Sequence, residues 1–266
     1  ERGLVAPWQA RIARVGDNTI TASTDQSLRY VAVPGMSALG SYLGAGLDIR
    51  RQFRVAPPMR EAGRWALRSE DGVDLGLFDI LVVSAPAPQA ADLLAGIAPG
   101  FAATAAAVAY ASTWAVMLVL DRANEPEYDG LFFDDGILAW AARDGSKPGR
   151  RGHTWVLHAD PDWSASNLEM ESDAVGAALS ARFCTATGFG PESVRVASLH
   201  RWLYSLVPAP LAVGALWDAE LGLGLCGDWC RGARIEDAFL SGHAVAGRIL
   251  GHLADRARNR DLDGAG

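Results

Sequence analysis

The sequence predicts an α/β protein in which a partial doubly wound domain, built on a parallel sheet, is interrupted by an antiparallel-sheet domain of the α+β type. Near both ends of the chain, at 30–94 and 201–255, apolar runs end in Gly or Pro turns and lead into helix-like segments. Such alternation is typical of parallel sheets. Between them, strand-like segments are separated by Asp, Gly and Pro turns, which favours antiparallel pairing. Half of the 266 residues are hydrophobic and 21% are charged, as in folded globular proteins.

The first segments predict a hairpin and a helix. Alternating residues at 9–15 and 19–23 flank the turn sequence Gly16-Asp17-Asn18, a pattern that favours a β-hairpin. Farther on, a Pro-Gly break precedes Ser37, the predicted N-cap of a helix. Four apolar residues then recur at helical spacing: Leu39, Tyr42, Leu43 and Leu47.

Three strand-like segments follow, at 48–55, 64–69 and 77–84. The last of them is an almost continuous apolar run that ends in Ala-Pro-Ala-Pro. Such a run suits a strand of a parallel sheet that is covered on both faces. A helix is predicted to begin at 89–94.

The middle of the chain predicts an antiparallel sheet with one helix. Strands are expected at 109–120, 131–142 and 153–158. An amphipathic helix is expected at 172–185, because three apolar residues share one of its faces: Val175, Leu179 and Phe183.

After residue 200 the first pattern returns, with a short strand at 221–226, a loop, and a helix at 235–254. Two segments of this kind, one on each side of a different middle region, predict one discontinuous domain that encloses another. The two predicted domains comprise 30–94 with 201–255, and 1–29 with 95–200.

Charge and hydropathy exclude several classes of function. The net charge is −7 and there is no basic stripe, so neither nucleic acid nor an anionic membrane is an expected partner. The single lysine, Lys147, lacks the glycine spacing of a Walker-type phosphate loop. The uncharged run 101–120 reaches the length of a membrane span. Its Ala, Thr and Ser content predicts instead a helix end followed by a buried strand.

The three cysteines, Cys184, Cys226 and Cys230, are too few and too irregularly spaced for a disulfide framework. We therefore expect buried thiols in a reducing compartment, the cytoplasm. Cys226 and Cys230 have no histidine pair at zinc spacing nearby, so a metal site is not expected.

Gly222, Gly224 and Gly227 match the Gly-x-Gly-x-x-Gly pattern of dinucleotide-binding loops. In those loops the glycines lie in the turn between a strand and a helix. Here they lie within a predicted strand, and the helix starts about eight residues later. The spacing therefore favours a chance match.

Gly227 and Asp228 end this predicted strand, at the edge where α/β sheets bind ligands. Glycine lets the backbone approach a ligand closely. A carboxylate repels phosphate but accepts hydrogen bonds from sugar or polyol hydroxyls, and the helix that follows offers free N–H groups and a positive dipole end. The spacing is equally compatible with a cofactor site and with a structural turn that Asp228 caps.

Two stretches near the C-terminus carry a family resemblance, namely Gly227-Asp228 and Ile235-Glu236-Asp237-Ala238-Phe239-Leu240-Ser241-Gly242. They resemble the flavin motif of FAD-dependent amine-oxidase-like oxidoreductases, and that of renalase-like bacterial flavoproteins in particular. Residues 30–37, 78–89 and 200–204 agree as well, so the resemblance runs over nearly the whole chain. It implies that 30–94 with 201–255 form an FAD-binding domain, and that 1–29 with 95–200 form a substrate domain.

The resemblance implies FAD as the cofactor and a role for each matching residue. Asp228 is expected to bind the ribityl chain, and the N–H groups of Ile235 and Glu236 to face flavin N1 and O2. Val55 is expected to contact the adenine through its backbone. The implied cofactor-binding set is Val55, Pro86, Gly227, Asp228, Ile235, Glu236 and Ala238, with Trp202 and Tyr204 near the isoalloxazine or the substrate.

The implied reaction is hydride transfer from a small substrate to flavin N5, with reoxidation by O₂ to hydrogen peroxide. The implied substrate is a dihydronicotinamide isomer, which is an NAD(P)-type ligand, or an amine. Hydride transfer requires no side-chain acid or base, so no catalytic residue is assigned.

Two departures from the family pattern bear on this interpretation. The family's amino-terminal Gly-x-Gly-x-x-Gly unit and its acidic ribose ligand are absent, and Glu1 resembles the point just after that unit. The alternative is therefore a truncated, non-catalytic remnant or fragment of such a flavoprotein that does not retain FAD. Asp237 stands where the family has glycine, which adds a negative charge near the flavin.

Overall fold

The computed structural model describes residues 3–16, 19–25, 27–121, 127–134 and 136–263. Glu1, and the predicted hairpin turn residues Asp17 and Asn18, lie outside the described residues. The described strands are β1 (Val5–Pro7), β2 (Ile12–Gly16), β3 (Thr19–Ala22), β4 (Tyr30–Ala32), β5 (Met59–Glu61), β6 (Arg64–Arg68), β7 (Asp74–Phe78), β8 (Leu81–Val83), β9 (Ala111–Leu120), β10 (Gly130–Phe133), β11 (Leu138–Arg143), β12 (Thr154–Ala159), β13 (Val194–Leu206), β14 (Leu216–Asp218) and β15 (Leu223–Leu225). The described α-helices are α1 (Ser37–Leu43), α2 (Ala87–Leu94), α3 (Pro99–Ala106), α4 (Pro161–Ser166), α5 (Ser172–Thr187) and α6 (Ile235–Asp263).

The chain forms two compact units, each assembled from two separate stretches of sequence. The first unit comprises Glu1–Ile49 and Ala111–Ser205, and the second comprises Arg50–Tyr110 and Leu206–Gly266. Residues 30–49 therefore cluster with the first unit, and 95–110 with the second.

The first unit is built on a seven-stranded sheet in the order β13-β9-β12-β11-β10-β2-β3. The pairs β9–β12, β12–β11, β11–β10 and β2–β3 are antiparallel, and β10–β2 is parallel. The antiparallel β2–β3 pair confirms the predicted hairpin. A separate antiparallel pair, β1–β4, also belongs to this unit.

Helix α5 covers this sheet with the face that the apolar spacing predicted. Val175, Leu179 and Phe183 are fully buried, and the Phe183 ring lies 5.1 Å from the ring of Trp155 in β12. Burial of apolar side chains of this size is the main force that holds a helix on a sheet. The sequence-based helix at 172–185 is thereby confirmed.

Asp129 joins three strand ends of the first unit. Its Oδ2 accepts hydrogen bonds from the backbone N–H and the Nε of Arg11, at 3.1 and 3.0 Å, just before β2. Its Oδ1 accepts a hydrogen bond from Nε of Arg143, at the end of β11, over 3.0 Å. Burial alone would raise the pKa of Asp129, but these bonds outweigh it and hold that pKa below its ordinary value of 3.8.

Helix α1 begins one residue earlier than the sequence suggested. Met36 occupies the N-cap position, and Ser37 is the first helical residue, so the expectation of a Ser37 cap was wrong. The turn closed by the bond from Ala38 N–H to Gly35 O already directs the chain into the helix. Gly44 ends it, which leaves Leu47 beyond the helix.

The second unit contains two three-stranded sheets. In the order β14-β15-β8, strand β15 runs parallel to β8 and antiparallel to β14. The other sheet, β5-β6-β7, is antiparallel. The parallel pair is the feature that matters for a ligand site, because both of its strands end at the same edge.

Two strand predictions in this unit were wrong in detail. Of the segment 48–55, only Val55 pairs, in an isolated bridge with Ser69. The segment 77–84 is two strands in different sheets, because Phe78 at the end of β7 pairs with Trp65, whereas Leu81 at the start of β8 pairs with Leu223. Asp79 lies between the two strands and pairs with Arg64 at 3.1 Å. Val82 is also 39% exposed, so β8 is not covered on both faces.

The uncharged run 101–120 folds as predicted, into the end of α3 and the largely buried strand β9. Within the described residues, none of the helices combines the length and the apolar character that crossing a bilayer requires.

Candidate functional site

The candidate site lies in the second unit, where β8 and β15 end side by side. Leu225 pairs with Val83, and the N–H of Cys226 donates to Val83 O over 3.2 Å. Beyond these residues β8 turns through Pro86 into α2, and β15 turns through Gly227 into a 3₁₀ turn, Asp228–Cys230. We call these the β8 turn and the β15 turn.

Trp229, in the β15 turn, links the two turns by a hydrogen bond to the β8 turn. Its side chain is almost fully buried, and its Nε1 donates to Ala85 O in the β8 turn over 3.2 Å. A Cβ atom at Gly227 would lie 2.6 Å from that Nε1. Glycine is therefore needed at position 227 to make room for Trp229, whereas the sequence suggested that it makes room for a ligand.

Tyr110 makes a second link between the turns. Its hydroxyl accepts a hydrogen bond from the N–H of Ala87 in the first turn of α2, and donates to Oδ1 of Asp228 over 3.5 Å. Burial, and then the charge of Asp228, raise the pKa of Tyr110 to about 12. The phenol therefore remains a donor throughout the neutral range. Nothing in the sequence singled out Tyr110, since it is 118 residues from Asp228.

Asp228 presents one carboxylate oxygen for a further donor. Its Oδ1 accepts hydrogen bonds from the N–H of Trp229 over 2.8 Å and from Tyr110. Its backbone carbonyl accepts the N–H groups of Arg231 and Gly232, at 2.8 and 2.7 Å. Within the described residues no hydrogen bond reaches Oδ2. The side chain is half-buried, and bonds on Oδ1 fix its orientation.

The N-terminus of α6 offers open backbone donors. The first helical bond runs from the N–H of Ala238 to Arg234 O over 3.1 Å, so the N–H groups of Ile235 and Glu236 precede the intrahelical ladder. Ile235 is 61% exposed and Glu236 is exposed too. Because its N–H is engaged in the helix, Ala238 can contact a ligand through its side chain or carbonyl, but not through that N–H.

The negative charge of Asp237 at this helix end is paired with an arginine. Its Oδ1 lies 3.4 Å from Nε of Arg231 in the preceding loop. Its carboxylate also fills the space beside Gly232, where a Cβ would lie 2.5 Å from Oδ2. Arg231 therefore offsets the extra negative charge that the sequence placed near the helix N-terminus.

Ser241 anchors α6 to the end of β15. Its fully buried hydroxyl accepts the N–H of Gly227 over 3.0 Å and donates to Gly214 O. Burial raises the pKa of the neighbouring Cys230 thiol to about 12. All three cysteines are free and buried, which confirms their interpretation as buried thiols.

The backbone of Val55 is oriented by its bridge with Ser69. Hydrogen bonds from Ala56 N–H to Arg68 O and from Glu70 N–H to Arg54 O bracket its bridge with Ser69. In an antiparallel pair this arrangement turns the N–H and C=O of the bridged residue away from the partner strand. Val55 thus presents a donor and an acceptor outward, although no hydrogen bond in the described part of the chain joins it to the two turns.

Trp202 and Tyr204 lie in the first unit, on β13 at one edge of the seven-stranded sheet. They are two residues apart and so share a face of the strand. Trp202 is 52% exposed, and its ring lies 4.3 Å from that of His200. The seven predicted cofactor-binding residues all belong to the second unit.

The Gly-x-Gly-x-x-Gly segment does not have the geometry of a dinucleotide loop. Gly224 lies within β15, and α6 begins eight residues after Gly227, at Ile235. The N–H of Gly227 is already bonded to Ser241. Among the described residues, no group of His, Cys, Asp and Glu is arranged to hold a metal ion.

No protein-family model matches the chain. Its fold is similar to that of a protein from Exiguobacterium sp. 255-15 assigned as a protoporphyrinogen oxidase, at 19% identity and a TM-score of 0.63, over 84% of this chain and 52% of that one. It is also similar to an oxidoreductase from Methanosarcina mazei, at 15% identity and a TM-score of 0.56, over 79% of this chain and 53% of that one. A third similar structure is cyclohexylamine oxidase from Brevibacterium oxydans IH-35A, at 14% identity and a TM-score of 0.62, over 83% of this chain and 53% of that one. The likeness confirms the predicted α/β fold class, and the chain spans about half the length of these proteins.

Proposed function

We propose that this chain forms part of an FAD-dependent oxidoreductase that oxidises a small molecule. The observation that carries the proposal is the convergence of the β8 and β15 turns on Asp228, whose orientation Tyr110 and Trp229 fix. Similarity of fold to three proteins named as oxidases or oxidoreductases supports it. The substrate proposed is a dihydronicotinamide isomer or an amine.

The donors and acceptors of the second unit suit the parts of FAD other than its pyrophosphate. Oδ2 of Asp228 is an acceptor for a ribityl hydroxyl. The open N–H groups of Ile235 and Glu236 suit the electron-rich N1 and O2 of the flavin ring, and the outward N–H and C=O of Val55 suit an adenine edge. Pro86, at the start of α2, would border the cofactor.

When bound, FAD would supply the redox chemistry, namely acceptance of a hydride equivalent from the substrate, with O₂ as the final electron acceptor and hydrogen peroxide as the product. The contribution of the chain would be electrostatic and positional. The α6 N-terminus favours negative charge next to it. The Asp237 carboxylate, which would oppose this effect, is offset by its ion pair with Arg231. Trp202 and Tyr204 are proposed to contact the substrate, and no side chain is assigned a proton-transfer role.

Asp228→Ala is expected to weaken FAD binding about 10- to 150-fold, because a hydrogen bond to a charged group contributes about 1.5–3 kcal/mol. Titration of the chain with FAD, followed by quenching of flavin fluorescence, measures the change. Glu61→Ala is the matched control, since Glu61 is an exposed carboxylate of the same unit whose partner is Arg68. Equal affinities for the Asp228 variant and the control, both folded by circular dichroism, would refute the assignment of Asp228.

One observation favours the alternative, a chain of this fold that does not retain FAD. The glycines that match the dinucleotide pattern lie in and around β15, and the Gly227 N–H is already bonded to Ser241. The described residues of this segment therefore offer no cradle for a pyrophosphate. Absence of FAD binding by the folded, unmodified chain would select this alternative.

Tyr110→Phe is expected to lower the free energy of unfolding of the second unit by about 1 kcal/mol, since the Ala87 N–H loses its acceptor. The folded pKa lies above the ordinary value of 10.0, at about 12, so the hydroxyl's contribution is complete below pH 10 and is lost as the pH rises through 12. The difference in urea midpoint between the wild type and the variant should therefore be constant near neutral pH and shrink above pH 10. Tyr30→Phe, at an exposed tyrosine, is the control. A difference that does not shrink would contradict this account.

A further inference from the structure

A second concave site lies in the same unit, at the opposite ends of the same two parallel strands. It is a cleft of about 300 Å³ formed by the β5–β6 turn, the residues just before β8 and β15, and the last turns of α6. Its lining includes the charged residues Arg60, Arg64, Asp79, Glu220 and Arg256, together with His252. We propose that this cleft binds a small phosphate-bearing ligand.

Hydrogen bonds and close backbone packing hold the floor of the cleft together. Trp65 is fully buried, and its Nε1 donates to both Leu221 O and Gly222 O, at 3.0 and 3.1 Å. The N–H of Leu81 donates to Gly222 O as well, over 2.9 Å. A Cβ at Gly222 would lie 2.7 Å from the backbone oxygen of Asp79. The strand ends are therefore packed backbone to backbone beneath the cleft, and the site is built before any ligand arrives.

Arg60 is a cation that this floor holds in place. Its guanidinium carbon lies 4.6 Å from the centre of the Trp65 ring. Its Nη1 donates to Leu221 O over 3.0 Å, and its Nη2 donates to Gly63 O. These acceptors are neutral carbonyls, so the charge of Arg60 is not compensated by an ion pair within the described residues. A guanidinium has five N–H donors, so three remain for a ligand.

The unpaired cations in the cleft outnumber its unpaired carboxylates. Arg64 is neutralised by Asp79 at 3.1 Å. His252 and Arg256 are four residues apart on α6 and so share a helix face, and no ion pair of Arg256 occurs within the described residues. One carboxylate, Glu220, opposes the two unpaired guanidiniums of Arg60 and Arg256. The lining thus carries a positive balance, whereas the chain as a whole has a net charge of −7.

The chemistry of the lining indicates the ligand class. Two guanidiniums that enter from different elements suit the oxygens of a phosphate, which arginine binds through forked, charge-assisted hydrogen bonds. A cleft of this volume is at the lower limit for ligand pockets, so the ligand is small. Glu220 is an acceptor for a hydroxyl group on the part of the ligand that carries the phosphate.

The test is a titration of the ¹⁵N-labelled chain with inorganic phosphate at constant ionic strength, followed by amide NMR shifts. We expect saturable shifts, and Arg256→Gln should raise the Kd about tenfold, the effect of losing one charge-assisted hydrogen bond. Arg258→Gln is the matched control, because Arg258 is an exposed arginine on the same helix, paired with Asp255 and outside the cleft. Its Kd should match that of the unmodified chain.

Three outcomes would overturn the proposal: shifts that rise linearly without saturation, equal affinities in the two arginine variants, or acetate binding as tightly as phosphate. The first two would mean that the anion binds adventitiously, and the third would mean a carboxylate site. Because the cleft lies at the strand ends opposite Asp228, each of these results is independent of whether the chain binds FAD.

Discussion

Trp229→Ala is expected to lower the free energy of unfolding of the second unit by about 4–6 kcal/mol. Truncation of a buried tryptophan costs about 3–5 kcal/mol through lost contacts and the cavity that remains. Here the Ala85 carbonyl also loses the Nε1 donor that lies 3.2 Å away, which adds about 1 kcal/mol. Since Trp229 joins the β8 and β15 turns, the variant should also weaken FAD binding in parallel.

Urea unfolding followed by circular dichroism measures this change. Trp202→Ala is the control for removal of an indole, because Trp202 is half exposed and its loss should cost less than about 1 kcal/mol. A cost below about 1.5 kcal/mol for Trp229→Ala would show that Trp229 does not hold the two turns together.

Asp129→Ala is expected to destabilise the first unit by about 3 kcal/mol. Removal of one partner of a buried ion pair costs about 3–5 kcal/mol, and the lower end applies because the Arg11 side chain is half exposed and can turn to water. The loss should appear as an earlier urea midpoint at neutral pH. Asp134→Ala is the control, since its pair with Arg14 is exposed on both sides and contributes at most about 1 kcal/mol. Similar losses in both variants would contradict the role of Asp129.

The stabilisation by Asp129 should depend on pH in the acid range. The pKa of folded Asp129 lies below the ordinary value of 3.8, so its contribution is present above pH 3.8 and is lost as the pH falls through the folded pKa. The stability difference between the wild type and Asp129→Ala should therefore narrow only below about pH 4. A difference that narrows between pH 7 and 5 would contradict the depressed pKa.

Local patterns in the sequence predicted the secondary-structure elements that depend mainly on residues close together in the chain. The hairpin of β2 and β3 follows from alternation around a turn sequence, and α5 follows from the helical spacing of Val175, Leu179 and Phe183. The run at 77–84 was misjudged as one strand because apolar content does not reveal where a chain changes sheets. The change is set by tertiary pairing, since Phe78 pairs with Trp65 whereas Leu81 pairs with Leu223.

The candidate site was predictable only in part, for the same reason. Asp228 could be found from its place after a strand and before a helix. Tyr110 and the Trp229–Ala85 bond could not, because they join residues 118 and 144 positions apart. Gly227 was identified, but for another reason than the one the structure gives, since the space beside it belongs to Trp229. The offset of Asp237 by Arg231 likewise depends on how the loop before α6 folds.

We propose that the β8 and β15 turns and the N-terminus of α6 hold a flavin. Equilibrium gel filtration of the unmodified, folded chain in buffer containing FAD tests it most directly. We expect a peak of flavin absorbance that elutes with the protein, with a spectrum shifted from that of free FAD. Elution of the folded protein without flavin, at FAD concentrations up to the millimolar range, would contradict the claim.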